Sequence, residues 1–223
     1  MQLIDLFLAL VDFILHIDEH LALIISDYGT WTYAILFVIV FVETGLVIMP
    51  LLPGDSLIFA AATFAAKGVL NPWLMFFIMS TAGIIGDAVN YSIGHYIGPR
   101  VFTDDIRFLK REYLDKTHAF FEKHGGKAVI LGRYMPIIRT FVPFVAGAGA
   151  MTYPRFALYN VIGAASWVGL FTVLGYFFGN IPAVEDNFTY VIFAIIFLSI
   201  LPPIIEFFKE RSKTKKGSLQ ETA

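Results

Sequence analysis

Long apolar stretches leave this chain few ways to fold. Residues 73–98, 156–180 and 187–208 each reach membrane-crossing length with few ionisable side chains. A bilayer core offers the backbone no water, so a crossing segment must satisfy its N–H and C=O groups internally. An α-helix of about 20 residues does so. Composition agrees: 57% of the 223 residues are hydrophobic and 15% are charged. Soluble domains sit near about 45–50% and about 25%. Disordered, collagen-like and coiled-coil chains are excluded, as are most soluble enzymes. Cys is absent, which removes disulfides, thiolate metal sites and Cys nucleophiles. The net charge of −2 gives no reason to expect nucleic acid as a partner.

The charge distribution orients the chain. Residues 1–66 carry no Lys or Arg but hold Asp5, Asp12, Asp18, Glu19, Asp27, Glu43 and Asp55. Residues 100–127 hold Arg100, Arg107, Lys110, Arg111, Lys116, Lys123 and Lys127, and the tail adds Lys209, Arg211, Lys213, Lys215 and Lys216. Basic short loops stay in the cytoplasm. The central segment and the C-terminus are therefore expected inside, and the N-terminal segment outside. The first residues lack a basic n-region, and acids interrupt their apolar run, so they do not read as a cleavable signal peptide.

Residues 3–25 read as an amphipathic helix lying at the interface, with Asp5, Asp12, His16 and Glu19 within about a 60° arc. A true span with an acidic stripe is the competing expectation. Residues 31–66 are apolar but broken by Glu43, Pro50, Pro53, Gly54 and Asp55. Two apolar pieces hinged by Pro and Gly predict a re-entrant hairpin, because irregular backbone at membrane depth survives only when covered by protein or lining a cavity. Asn71-Pro72 marks a turn before the first full span. Residues 102–124 form a second amphipathic helix, with Ile106, Leu109, Tyr113, Thr117 and Phe120 at helical spacing, ended by Gly125-Gly126. Residues 128–151 are again apolar and broken, around Gly132, Arg133, Pro136, Arg139, Pro143, Gly147 and Gly149. If this segment re-enters rather than crosses, Arg155 and the basic tail both fall inside. A full crossing puts both outside.

The two halves repeat an order of parts: amphipathic helix, broken apolar segment, X-Pro turn, span. The spans end alike, in Gly94-His-Tyr-Ile-Gly98 and Gly175-Tyr-Phe-Phe-Gly179, a spacing that permits close helix approach. The first span runs inward and the second outward. The expected fold is all-α and polytopic: an inverted repeat of amphipathic helix, re-entrant hairpin and transmembrane helix, plus a C-terminal transmembrane helix. One membrane domain covers 1–208, with repeats at about 1–100 and 101–182 and the last helix at about 187–208, followed by a disordered basic tail, 209–223. Inverted repeats with broken helices are the architecture of secondary transporters, which bind near the midplane.

Four charges sit in the broken segments: Glu43 and Asp55 in the first, Arg133 and Arg139 in the second. An intramembrane charge costs at least about 2.5–3.5 kcal/mol, and mutual pairing offsets that cost. Two acids are expected to face two arginines where the hairpin tips meet. Arg suits bidentate contact with phosphate or carboxylate, which makes Arg133 and Arg139 candidates for holding a lipid phosphate. An anion that takes the arginines leaves Glu43 and Asp55 unpaired and favours their protonation, the basis for expecting proton coupling. The competing expectation is an ion-pair lock that binds nothing. Pro53, Gly54, Pro136 and Pro143 are the hinge candidates. Asp87, Asn90 and Asn160 lie in the full spans as cavity-lining or helix-bridging groups. No metal, cofactor or catalytic residue is expected: metal-ligand spacing, nucleophile elbow, P-loop and dinucleotide fingerprint are all missing.

These residues carry a resemblance. Phe-Val-Glu43-Thr-Gly, Leu-Pro53-Gly54-Asp55-Ser, Gly132-Arg133-Tyr-Met-Pro136-Ile-Ile-Arg139-Thr-Phe-Val-Pro143-Phe-Val-Ala-Gly147, Tyr-Asn160-Val-Ile-Gly and Gly175-Tyr-Phe-Phe-Gly179 resemble the DedA family of bacterial inner-membrane proteins, related to eukaryotic VTT-domain proteins. The resemblance covers about residues 5–208. It implies two opposed re-entrant hairpins, and lipid movement across the bilayer: return of undecaprenyl phosphate to the cytoplasmic face, dependent on the proton motive force, in bacteria, and phospholipid scrambling in eukaryotes. It also implies that Glu43, Asp55, Arg133 and Arg139 are needed for function.

The expectation is thus a non-enzymatic transporter of a polyprenyl phosphate in the bacterial inner membrane, multi-pass, with a cytoplasmic C-terminus. Its partners are membrane lipid and protons, and a homo-oligomer stays open. An energy-independent phospholipid scramblase and a non-transporting assembly factor are the rivals. An intramembrane lipid phosphatase is disfavoured, because no His or Ser nucleophile accompanies the arginines.

Overall fold

The computed structural model describes residues 16–46, 54–101, 111–179, 181–185, 187, 188, 190, 191, 193–195 and 197. Outside them lie the first part of the expected N-terminal amphipathic helix, Pro53 and the tip of the first broken segment, Ile106 and Leu109, the end of the last expected span and the basic tail.

Among the described residues the fold is all helical. Helix α1 spans Ile17–Tyr28 and passes through a 3₁₀ turn, Gly29–Trp31, into α2, Thr32–Gly45. Helix α3 is Gly54–Ala66 and α4 is Pro72–Val101. Helices α5, α6 and α7 are Arg111–His124, Lys127–Gly132 and Pro136–Val145. A π-helical turn, Ala146–Ala150, leads to α8, Tyr153–Phe178, and a short α9, Pro182–Glu185. Three stretches of the described residues are long and apolar enough to cross a membrane: Ile17–Gly45, Pro72–Ile97 and Tyr153–Phe178. The second and third coincide with the spans expected at 73–98 and 156–180. The first is interrupted at Gly29, whose φ of 51° departs from the helical path. Of the amphipathic helix expected over 3–25, α1 covers the part from Ile17, runs on to Tyr28, and buries Ile17 and Leu21 in the core.

The broken segments break where their sequence says. Helices α2 and α3 have 14 and 13 residues, about 21 and 20 Å at 1.5 Å per residue. A hydrocarbon core is about 30 Å thick. In the second half, α6 has 6 residues and α7 has 10, with the break at Arg133–Met135. Met135 is extended (φ −123°, ψ 100°) and Pro136 takes the first position of α7. A residue before Pro is driven out of the helical region, while Pro itself suits a helix start. Pro143 lies inside α7 rather than at a break.

Asn71 starts α4. Its side-chain oxygen accepts the backbone N–H groups of Trp73 (3.0 Å) and Leu74 (3.1 Å), and its own N–H donates to the Tyr33 hydroxyl (2.7 Å). Asn71→Ala is expected to cost about 1 kcal/mol, and Asn71→Asp much less. The check is the thermal unfolding midpoint in detergent.

The helices enclose two apolar clusters. One gathers Ile17, Leu21, Leu36, Val40, most of α3, Met75, Met79 and Trp167. The other gathers Tyr91, Phe120, Phe121, Val129, Phe141, Phe144 and Phe156. Packing between the halves is reciprocal. A Cβ on Gly94 of α4 would strike the backbone carbonyl of Phe144 in α7, and a Cβ on Gly175 of α8 would strike that of Phe59 in α3. Each half thus presses its short apolar helix onto the glycine-bearing end of the other half's long helix. Polar residues of α4 and α8 (Asp87, Asn90 and Asn160) fall between the two apolar clusters along both helices.

Candidate functional site: two buried arginines around one tryptophan

The break before Pro136 separates the two arginines. Arg133 closes α6, and Arg139 lies one turn into α7 with its N–H bonded to the Met135 carbonyl at 2.8 Å. Both guanidiniums lie by the Trp167 ring, yet they bond to different partners.

Arg139 binds both acids of the first broken segment. Its Nη1 donates to Asp55 Oδ1 at 3.0 Å, and its Nη2 lies 3.0 Å from Glu43 Oε1. The guanidinium carbon sits 4.3 Å from the centre of the Trp167 ring. A cation over a desolvated aromatic face gains about 2 kcal/mol. The indole N–H of Trp167 donates to Asp55 Oδ1 at 2.8 Å, so Trp167 supports both members of the ion pair. Glu43 Oε1 also accepts the Gly54 N–H at 3.2 Å. That contact joins the end of α2 to the start of α3. It also explains Gly54, where a Cβ would occupy the place of the Glu43 carboxylate. Asp55 stands in the first turn of α3, where a helix favours an anion. Arg139 and Glu43 side chains are only 9% and 7% exposed, and Asp55 is 18% exposed.

Arg133 is held elsewhere. Its Nη2 donates to Asp87 Oδ2 and to Asn160 Oδ1, each at 2.6 Å, and approaches the Gly83 carbonyl at 3.3 Å. Its guanidinium lies 5.8 Å from the Trp167 ring centre. Asn160 Nδ2 donates to the Ile84 carbonyl at 3.0 Å, which ties α8 to α4. Asn90 Nδ2 donates to the Thr140 carbonyl at 2.9 Å and reaches the Thr44 carbonyl at 3.4 Å, linking α4 to α7 and α2.

The four expected charges therefore do not form one two-by-two cluster. Arg139 takes both Glu43 and Asp55, while Arg133 pairs with Asp87. Asp87 and Asn160 become direct partners of an arginine, and Asn90 bridges helices. Among the described residues the cluster holds three carboxylates, Glu43, Asp55 and Asp87, against two guanidiniums. Trp167 stands by both arginines and is fully buried. Its role was missed because a Trp in an apolar span reads as packing. The available signal was its position at the middle of α8, since membrane Trp favours the interfaces.

The polar atoms here are not all paired. Glu43 Oε2, Asn90 Oδ1, Arg133 Nε and Arg139 Nη2 are buried without a hydrogen-bond partner among the described residues. Arg139 Nη2 is close enough to Glu43 for an ion pair but is not aligned for a hydrogen bond. Buried polar groups are nearly always satisfied, so the guanidinium edges retain capacity for another acceptor. Of the hinge candidates, Gly54 and Pro136 begin helices at this site, Pro143 lies within one, and Pro53 is outside the described residues.

Comparison with known proteins identifies the family. A family model for the VTT domain matches residues 52–177. The chain is similar to Protein DedA of Escherichia coli, 55% identical over 217 residues, covering 96% of this chain and 99% of that protein. It is 42% identical over 186 residues to a protein of Mycobacterium leprae described as an uncharacterized membrane protein, covering 82% and 83% of the two. It is 34% identical over 151 residues to Inner membrane protein YqjA of Escherichia coli, covering 67% and 69%. No solved structure matches the chain. A VTT match over more than half of the chain, near-complete alignment with Protein DedA and three apolar helices of crossing length make this chain a membrane protein of the DedA (VTT-domain) family.

Proposed function

We propose that this protein moves a lipid phosphate, of the polyprenyl (undecaprenyl) type, across the bacterial inner membrane, with protons coupled to the movement. The observation that carries the proposal is Arg139, a buried guanidinium shared by two carboxylates that belong to a different broken segment. Such a group exchanges one anionic partner for another without being left bare. A phosphate that takes Arg139 displaces Glu43 and Asp55. Proton uptake by the freed acids then restores charge balance, in a cluster that already holds three acids against two cations. Arg133, beside Trp167, supplies the second cation, and its Nε is without a partner among the described residues.

The pieces α2–α3 and α6–α7 act as two opposed re-entrant hairpins in an inverted repeat. The short α3, α6 and α7 and the reciprocal glycine contacts support this arrangement. The C-terminus lies in the cytoplasm, on the side of the basic segment 100–127. The hydrocarbon chain of the substrate stays in the bilayer, so no large sealed cavity is needed.

The test follows headgroup accessibility of a polyprenyl phosphate in liposomes holding the full chain, with and without an imposed pH gradient. Gradient-dependent movement that is lost in Arg139→Gln is the expected result. Movement indifferent to the gradient assigns an energy-independent scramblase instead. No movement by folded protein returns the cluster to a structural lock, the part an assembly factor would need.

A further inference from the structure

A cleft of about 720 Å³ opens where α4 ends and α8 begins. Tyr91, His95 and Tyr96 of α4 form one wall, the turn before α8 forms the floor, and Arg155 of the first turn of α8 stands opposite. The wall is held in place: Tyr91 stacks on Phe156 at 4.6 Å between ring centres, meets Tyr153 edge-on at 5.3 Å, and donates its hydroxyl to the Met151 carbonyl at 2.9 Å. The floor carries little side chain. Gly149 has φ 127°, a conformation L side chains rarely adopt, and Ala150 follows it. Arg155 is exposed and makes no ion pair or hydrogen bond among the described residues.

The cleft continues in two directions. A groove of about 420 Å³ along α4, lined by Ile85, Val89 and Ile97, shares Ser92 and Tyr96 with it. These apolar side chains are 42%, 38% and 43% exposed. A smaller recess of about 190 Å³ shares Ala150, Met151 and Arg155 and reaches His118. Glu122 lines that recess, 3.8 Å from His118, and does not line the cleft. Tyr96 and Tyr153, 80% and 51% exposed, stand where aromatic side chains mark a membrane boundary. A cationic cleft at the boundary end of an apolar, outward-facing groove has the shape and polarity of an anionic amphiphile.

We infer that this cleft docks the headgroup of a lipid monophosphate, with the hydrocarbon chain lying along the groove on α4. The inference rests on the proposed lipid role and adds to it a station apart from Arg139. Arg155 provides the cation, and the His95 ring provides a further polar contact. Along α4, His95 is eight residues from Asp87, about 12 Å at 1.5 Å per residue. A lipid waiting here is close to the buried arginines without touching them.

The experiment titrates the full chain, in nanodiscs of phosphatidylcholine, with phosphatidic acid carrying a fluorescent acyl chain, and reads anisotropy. Arg155→Gln removes the cation, and Ala150→Trp fills the cleft. Both sites are exposed, so neither change threatens folding. Each is expected to weaken binding by at least about tenfold, the worth of one charge-assisted hydrogen bond. Lys127→Gln, a charge removed from an exposed position outside the cleft, is expected to bind as the unchanged protein does. Excess inorganic phosphate is not expected to displace the probe. Unchanged binding in Arg155→Gln overturns the inference, as does an equal loss in Lys127→Gln, which means diffuse attraction. Full displacement by inorganic phosphate overturns it in favour of a free-anion site. Because the readout is binding, a cleft that binds in a protein that moves no lipid removes the proposed function alone. Movement that persists when Arg155→Gln leaves binding intact removes this inference alone.

Discussion

Arg139→Gln is expected to cost about 3–5 kcal/mol of stability, the usual loss when one partner of a buried ion pair is removed. The change removes the cation that Glu43 and Asp55 share, and takes that guanidinium from the Trp167 face. For a chain of this length that corresponds to a fall in Tm of at least about 6 °C. The instructive comparison is the triple variant Glu43→Gln/Asp55→Asn/Arg139→Gln. Replacing a whole ion-pair group by neutral residues is often near-neutral for stability, so the triple variant should recover much of the lost Tm. A lock is satisfied by that recovery. A phosphate-binding group is not, and lipid movement should stay absent in both variants. Restored movement in the triple variant would count against a binding role for Arg139.

Gly94→Val and Gly175→Val are expected to be the next most damaging changes. At each site the first added carbon would run into a backbone carbonyl of the other half, Phe144 for Gly94 and Phe59 for Gly175. A carbonyl in a helix cannot swing aside as a side chain can, so the helices must part. Overpacking of this kind costs about 1–3 kcal/mol, occasionally more. Thr63 Oγ1, 3.5 Å from the Gly175 carbonyl, would be displaced as well. Gly169→Ala is the matched control in the same helix: its Cβ would meet only Phe76 at an ordinary 3.6 Å. It should be neutral or slightly stabilising, given the helix preference of Ala. Equal losses in all three variants, read as Tm in one detergent, would remove close approach as the cause.

Much of this arrangement is legible in the sequence. Long apolar runs give α4 and α8 to within about three residues at each end, and Asn71-Pro72 gives the start of α4. The position of Glu43, Asp55, Arg133 and Arg139 inside broken segments marks them as the costly charges. The pairing was not legible. Which acid meets which arginine depends on the helical phase on either side of the 133–135 break. A change of one residue there rotates Arg139 by about 100° relative to Arg133. Asp87 looked secondary because it sits in an unbroken span, yet its mid-helix position puts it beside Arg133. The polar arc of Asp5, Asp12, His16 and Glu19 does not mark where α1 ends, and the helix runs three residues beyond 25, to Tyr28.

Reciprocal packing also sets an order of events during synthesis. Asp55 is joined to Arg139 across 84 positions and to Trp167 across 112. At about 5–20 residues per second, a ribosome needs about 4–17 s to deliver the arginine and about 6–22 s to deliver the indole. Through that interval the newborn first half holds a carboxylate whose arginine and indole partners have not been translated, and a short apolar helix that still lacks its α8 neighbour. Half a chain is therefore an unfinished object, and its charged cluster closes only when the second half arrives.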